Sequence, residues 1–294
     1  MTKVRIIVFD VQQGFCAFLK SPTNHTLLID CGRGDEFSPA IYVANNELED
    51  SIGYGGKKLT WMTITHPHDD HIEDISKIEA FCPPGIISRQ VYNWKEVKDG
   101  DGDYENLDEY EKFQSTYYQP VLCFPDFGLK VEQFALTPAD AKKLNETKFV
   151  NNSSIVTIVA YQGSQYSVKF LFGGDIEEDG WQQLLKREDF KSAVKGVDVY
   201  VTSHHGHTSG FSKDLFDLMG TPIVNIVSAH RKDGSVDARY STEAYARGFS
   251  RGEETRRMLS TRNDGSIFFD VSETGKVTVS TSRLAPNDVV RTVA

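Results

Sequence analysis

The sequence predicts an α/β protein built as a four-layer αββα sandwich, with two sheets packed face to face and helices outside. Short β-rich runs separated by turn residues fill the first third, and the second half repeats that grammar, each half passing into helical segments. The chain is also continuous in character. Its 294 residues contain no Pro/Ser-rich linker, repeat or low-complexity tract, so a single domain over 1–294 is expected.

Residues 4–9, 15–19 and 26–29 are apolar and are parted by Gln12-Gln13-Gly14 and Ser21-Pro22-Thr23-Asn24, which predicts an antiparallel meander. Residues 40–49 suit a helix, and a glycine-rich turn follows at Gly53, Gly55 and Gly56. Residues 59–65 make a threonine-rich strand that stops at a histidine cluster. Ile72, Ile75 and Ile78 then share one face of a helix over 71–80, ended by Cys82-Pro83-Pro84-Gly85. The stretch 96–111 carries eight acids and one lysine, and it reads as the start of a solvated insertion near 96–130 that leads into a helix at 107–118. Within it, Asp99-Gly100-Asp101-Gly102-Asp103 lacks the spacing and closing glutamate of an EF-hand calcium loop. Further strands are expected at 155–161, 167–172, 197–201, 223–227, 267–271 and 276–280, with helices at 181–186, 213–219 and 242–247.

Composition narrows the function classes. A formal charge of −10 and a 39% hydrophobic share describe an ordinary globular chain. No apolar run approaches the ~20 residues of a membrane span, and the N-terminal stretch runs into Asp10 without the pattern of a secretory leader, so a cytoplasmic protein is expected. Cys16, Cys31, Cys82 and Cys123 form no Cys-x-x-Cys pair, which argues against a disulfide framework or a thiolate zinc site.

The chemistry concentrates in Thr65-His66-Pro67-His68-Asp69-Asp70-His71, directly after a strand and before a helix. Three imidazoles and two of the carboxylates at this spacing suit metal binding. In extended chain His66 and His68 project to one side and can grip one ion, while Asp70 and His71 at the helix entry can reach a second. Leu171-Phe172-Gly173-Gly174-Asp175 ends another strand in two small residues and a carboxylate, which allows close approach to an ion. His204-His205-Gly206 follows a third strand; we expect His204 as the ligand and His205 as a proton-transfer group, with His207 as an alternative for that role.

His-x-His-x-Asp-His after a strand resembles the signature of metallo-β-lactamase fold hydrolases. Three further segments narrow the resemblance: Phe9-Asp10-Val11-Gln12-Gln13-Gly14 with Leu27-Leu28-Ile29-Asp30-Cys31-Gly32, then Asn151-Asn152-Ser153-Ser154-Ile155-Val156, then Val201-Thr202-Ser203-His204-His205-Gly206-His207-Thr208-Ser209. Together with Thr261-Arg262-Asn263-Asp264-Gly265-Ser266-Ile267 they are similar to the hydrolase domain of ComEC-type DNA-uptake proteins, here without a membrane channel. The resemblance implies the metallo-β-lactamase type of sandwich and a two-metal site of His66, His68, Asp70, His71, Asp175 and His204, with Asp175 bridging. Many enzymes of this fold add a third histidine to the first ion. None lies between His71 and His204 here, which leaves an asparagine oxygen of Asn151-Asn152 or water. So oxygen-rich a site admits manganese or magnesium beside zinc.

Two such ions would activate a water for hydrolysis, with Asp70, His205 and His207 as the catalytic side chains. The resemblance implies a nuclease acting on DNA, and free-standing relatives occur as effectors of bacterial antiphage systems. The rival readings are a small-molecule hydrolase of a phosphoester, lactone or thioester, and a non-catalytic metal-bound interaction subunit. The charge of −10 first opposes a polyanionic partner. Most of it lies in 96–111, however, while residues 229–262 carry eight basic side chains against five acids. The expectation is a polarised molecule, with an acidic flap open to a protein partner on one side and arginines near the metal site on the other.

Overall fold

The computed structural model describes residues 2–51, 56–99, 104–119, 121, 123–230, 234–251, 254–283 and 290–293. In chain order, the strands of the two large sheets are β1 (Thr2–Val8), β2 (Ala17–Lys20), β3 (Thr26–Ile29), β4 (Leu59–Thr63), β5 (Pro84–Ser88), β6 (Lys130–Phe134) and β7 (Val156–Gln162). They continue with β8 (Ser167–Phe172), β9 (Val199–Val201), β10 (Val224–Val227), β11 (Met258–Ser260), β12 (Ile267–Ser272), β13 (Val277–Thr281) and β14 (Val290–Val293). One sheet runs β14-β13-β12-β1-β2-β3-β4-β5 and the other β11-β10-β9-β8-β7-β6. Three apolar layers follow from this. Ile6, Val8, Leu19, Leu27 and Ile29 meet Val159, Phe170, Phe172, Val199 and Ile226 between the sheets. The alternate residues Ile7, Phe18, Leu28 and Met62 face outward onto Ala40, Val43, Ile75, Ile78, Leu107 and Tyr110. On the far side, Val156, Ile158, Leu171 and Tyr200 meet Trp181, Leu184, Phe190, Leu215 and Phe216. Strands buried on both faces need apolar residues at successive positions, which explains their near-continuous hydrophobic runs. The architecture is the four-layer αββα sandwich of the metallo-β-lactamase type.

Two connections position the site. β3 and β4 run parallel at Leu27↔Trp61, and β8, β9 and β10 run parallel to one another. Asp30, His66, Asp175 and His205 all lie in loops just past the carboxyl ends of those strands. Such ends are where open α/β sheets leave a crevice.

Several expectations are corrected. The helix expected at 71–80 is two pieces, Asp69–Ile72 and Ile75–Phe81. Buried Asp74 separates them, its carboxylate accepting from Ser38 Oγ at 2.6 Å and from the Ala40 amide at 3.0 Å. No helix forms at 242–247. Asn225 Nδ2 donates to the carbonyls of Tyr240 and Tyr245, and Arg247 and Gly248 bond to Pro222 and Ile223, which holds the chain out of a helical path. Pro84–Ser88 is an edge strand behind the Pro-Pro-Gly, with proline at its first residue, where a missing donor is tolerated. The acidic stretch is no free flap, because its helix Leu107–Ser115 buries Leu107, Tyr110 and Phe113 in the outer layer. Residues 100–103 of the Asp-Gly repeat, and Gly53 and Gly55 of the glycine turn, lie outside the described residues. Cys16, Cys31 and Cys82 are buried free thiols and Cys123 is exposed. Among the described residues no helix is long and apolar enough to cross a membrane.

Candidate metal centre

The site is built on buried Asp30. Its carboxylate accepts from the Thr65 amide and hydroxyl, both at 2.7 Å, and from His71 Nδ1 at 2.7 Å. The Thr65 hydroxyl has one proton and gives it to Asp30, so toward His66 Nδ1, 3.0 Å away, its oxygen can only accept. That fixes the His66 tautomer with an unprotonated Nε2. His71 likewise gives its Nδ1 proton to Asp30, and His205 gives its own to the Ser228 carbonyl at 3.1 Å. Each imidazole therefore spends Nδ1 on a neighbour and presents Nε2, the arrangement by which outer groups orient metal-binding histidines.

The presented atoms converge. His71 Nε2 lies 3.3 Å from Asp175 Oδ1 and 3.4 Å from His205 Nε2. His205 Nε2 lies 3.2 Å from both Asp70 Oδ2 and Asp175 Oδ2. His66 Nε2 is 3.0 Å from His68 Nδ1 and 3.9 Å from Asp175 Oδ2. The ligand atoms of His66, His71 and Asp175, and those of Asp70, His71 and His205, each fall within 4.8 Å of one another. Imidazole nitrogens and carboxylate oxygens gathered at this spacing form a donor set that fits divalent metal once the imidazoles give up their Nε2 protons.

Electrostatics agree. Burial opposes charge on His71, but Asp175, Asp70 and Asp30 overcome it and raise its pKa well above the usual range. Burial opposes charge on His205 too, and Asp175 and Asp70 push it up to about 10. Against the opposing effect of burial, His205 and His71 hold Asp175 well below the carboxylate range, and His71 and His205 do the same for Asp70. Burial keeps His66 and His68 low, and so neutral and ready to ligate.

The expected ligand His204 is not in the cluster. Its Nδ1 bonds Ser209 Oγ at 2.7 Å and lies 4.0 Å from Glu177. His204 and His205 both adopt left-handed backbone, φ +50° and +54°, before Gly206 at +75°. This turn costs roughly 1–3 kcal/mol per non-glycine residue and sends His205 inward. It is thus His205, expected as the proton-transfer group, and not His204 that the fold places in the cluster. His207 is exposed and accepts from the Ser209 amide, capping a short turn outside the cluster.

The backbone around the site is tight. A Cβ on Gly14 or Gly32 would lie 2.0 or 2.2 Å from the Asp70 carbonyl oxygen. Asp69 reaches the other way, accepting from the amides of Glu105 and Asn106 at 2.6 and 2.9 Å, and Tyr104 sets its ring 5.6 Å from that of His68. The acidic stretch therefore adjoins the site. Four of the arginines of 229–262 are paired with acids. Arg239 pairs with Asp237, Arg247 with Asp198, Arg256 with Asp264 and Arg257 with Glu243. Arg231 and Lys232 lie outside the described residues.

The family model for the metallo-beta-lactamase superfamily (Lactamase_B) matches residues 9–93, from the end of β1 through the histidine cluster to the loop after β5. Solved structures similar to the chain include Zn(2+)-bound PqqB from Methylobacterium extorquens, at 12% identity over 74% of this chain and 78% of that one, TM-score 0.41. A diphosphatase from the PhnP family is 11% identical over 77% of this chain and 86% of its own, TM-score 0.39. A long-form RNase Z from yeast is 9% identical over 90% of this chain and 42% of its own, TM-score 0.41. No curated protein matches the sequence.

Proposed function

We propose that this protein is a metal-dependent phosphodiester hydrolase that uses two divalent ions, manganese or zinc, and acts on DNA. The observation that supports it most is the convergence of two ligand clusters, His66–His71–Asp175 and Asp70–His71–His205, with Asp175 also 3.2 Å from His205 Nε2. His66 and His68 with Asp175 would hold one ion; Asp70, His71 and His205, again with Asp175, would hold the other. Such ions supply Lewis-acid polarisation of a phosphoryl oxygen and lower the pKa of water. Asp70 and Asp175, held ionised by the flanking imidazoles, offset the ions' charge. Asp30 and the Ser228 carbonyl keep His71 and His205 in the ligating tautomer. His204 has its Nδ1 engaged with Ser209 and its ring 6.3 Å from that of His205, and we assign its Nε2 delivery of a proton to the leaving alkoxide.

DNA as the substrate, and an effector role in antiphage defence, rest on the sequence resemblance to the ComEC-type domain. One observation favours a second reading, hydrolysis of a small phosphoester, lactone or thioester: four arginines of the basic cluster are paired with acids, and the acidic stretch adjoins the site. Purified protein with Mn, Mg or Zn is assayed on plasmid, single-stranded DNA, RNA, bis-p-nitrophenyl phosphate and a lactone. The expected result is DNA cleavage that falls by about 100-fold or more in Asp70→Ala and His66→Ala. Activity on the small esters alone transfers the assignment to the second reading, and phage plating on cells carrying Asp70→Ala tests the defence role.

A further inference from the structure

β5 is the last strand of its sheet, and its outer edge is open. On the inner side the Ile64 amide bonds the Ser88 carbonyl at 3.0 Å, across to β4. Peptide groups alternate in direction along a strand, so Ile86 and Ser88 face β4 while Gly85 and Ile87 face away from it. Among the described residues no hydrogen bond reaches the N–H or C=O of Gly85 or Ile87. The proline does not blunt this edge, because Pro84 shares the phase of Ile86 and its missing donor faces β4.

Open edges are ordinarily protected by charge. The edge strand of the facing sheet, β6, carries Lys130 and Glu132, paired at 2.9 Å, whereas Pro84-Gly85-Ile86-Ile87-Ser88 carries no charge. Ile86 and Ile87 project to opposite faces and each is only partly covered, one against the inter-sheet core and the other against the outer layer. The apolar surface continues beyond the strand. Of the seven large apolar side chains exposed among the described residues, five surround it. Phe81 and Val91 flank it in sequence, Tyr118 and Val121 line a groove of about 610 Å³ with Gly85, Ile86 and Ile87, and Phe124 lines a second cavity with Ser88. With roughly 150–250 Å² available per aromatic side chain, these residues offer on the order of 500 Å² per copy, over half of the ~800 Å² that each partner gives a stable interface.

The strand that fits this edge is its own copy. In antiparallel pairing about a two-fold axis at Ile86, Gly85 of one copy lies opposite Ile87 of the other, and these are the two residues whose peptide groups face outward; each such pair exchanges both of its bonds. The Ile87 side chain then lies across from a glycine, which leaves it room, and Ile86 meets its own counterpart in the closer, non-bonded position. We propose that β5 is a homodimer interface, in which two copies join through Gly85–Ile87 into one continuous sheet and the five surrounding apolar side chains close over the junction.

The test is sedimentation equilibrium of the full chain as wild type, Ile87→Glu and Tyr118→Glu, with disulfide trapping of Ile86→Cys and Ser88→Cys in a Cys123→Ser background, since Cys123 is an exposed thiol. Wild type is expected as a dimer. Either glutamate should weaken dimerisation by about tenfold or more, because it places a carboxylate in an apolar contact twice per dimer. Tyr118 is 77% exposed, so its substitution leaves the fold alone and decides the matter should Ile87→Glu not fold. Ile86→Cys should form a disulfide between copies under mild oxidation, since non-bonded antiparallel pairs stand about 4.5 Å apart at Cα. Ser88→Cys, opposite Pro84, should not. The proposal is overturned if wild type stays monomeric at its highest soluble concentration, which would leave the edge to a strand of another protein. It is overturned equally if the dimer survives both glutamates at wild-type strength, or if Ile86→Cys crosslinks no more readily than Ser88→Cys.

Discussion

Asp30 carries more of the site than its chemistry suggests, since one carboxylate orders Thr65, His71 and, through Thr65, His66. Asp30→Asn keeps the shape but can offer its amide nitrogen to His71, freeing the wrong tautomer. The expected outcome is metal affinity lowered about 10–100-fold with little change in fold, measured by calorimetric titration. The histidine pair supplies a sharper contrast. His205→Ala should lose one of the two ions, whereas His204→Ala should retain both by metal analysis and lose turnover; equal metal content in the two variants would contradict the geometry. From the sequence, the residue types and the strand ends bring attention to His66, His68, Asp70, His71, Asp175 and the His204-His205 pair. The order within that pair is illegible there, because it depends on two left-handed backbone residues that no side-chain pattern encodes. The role of Asp30 is equally hidden, as its partner His71 lies 41 residues away.

At the scale of elements, the loop carrying the ligands is fixed from two directions. Gly14 and Gly32 press their backbones against Asp70, and Asp69 binds the turn that leads into the helix Leu107–Ser115. Gly14→Ala would place a methyl group on the Asp70 carbonyl in a backbone already at φ +100°, and it is expected to displace Asp70 and abolish binding of the second ion. Asp69→Ala removes acceptors for two amides at the entry to a helix that lacks a side-chain cap of its own, so a loss of about 1–2 kcal/mol is expected. Limited proteolysis should then cut near residues 104–106 while metal stoichiometry stays at the wild-type value. Protease resistance equal to wild type would show that the acidic stretch is held by its buried face alone. The expectation of a solvated flap failed for a physical reason. Charge density reports the exposed face of a helix, and Leu107, Tyr110 and Phe113 at helical spacing form the hidden face.

At the scale of the whole molecule, the metal-free protein encloses a buried charge cluster whose balance depends on pH. His71 and His205 have folded pKa values above their usual 6.5, so the stability they contribute is fully present below about pH 6.5 and is lost as pH rises toward about 10. Asp70 and Asp175 are depressed and act in the opposite range, their contribution being lost only as pH falls below the ordinary carboxylate values. Thermal melts in EDTA should therefore decline from pH 6.5 to 10. Metal affinity should rise over the same range, because each ion displaces protons from these imidazoles. A melting temperature independent of pH across that interval would show that the cluster carries no net charge coupling. What the sequence by itself determined is the layered architecture and the inventory of ligating side chains, because alternating and continuous apolar runs encode which strand faces are buried, and histidine clusters are too costly to place at random. What only the tertiary structure decided is which histidine turns inward, where the acidic stretch docks, which arginines are neutralised and which sheet edge is left open. Each of these depends on the meeting of segments tens of residues apart, at distances that no local pattern of residues can set.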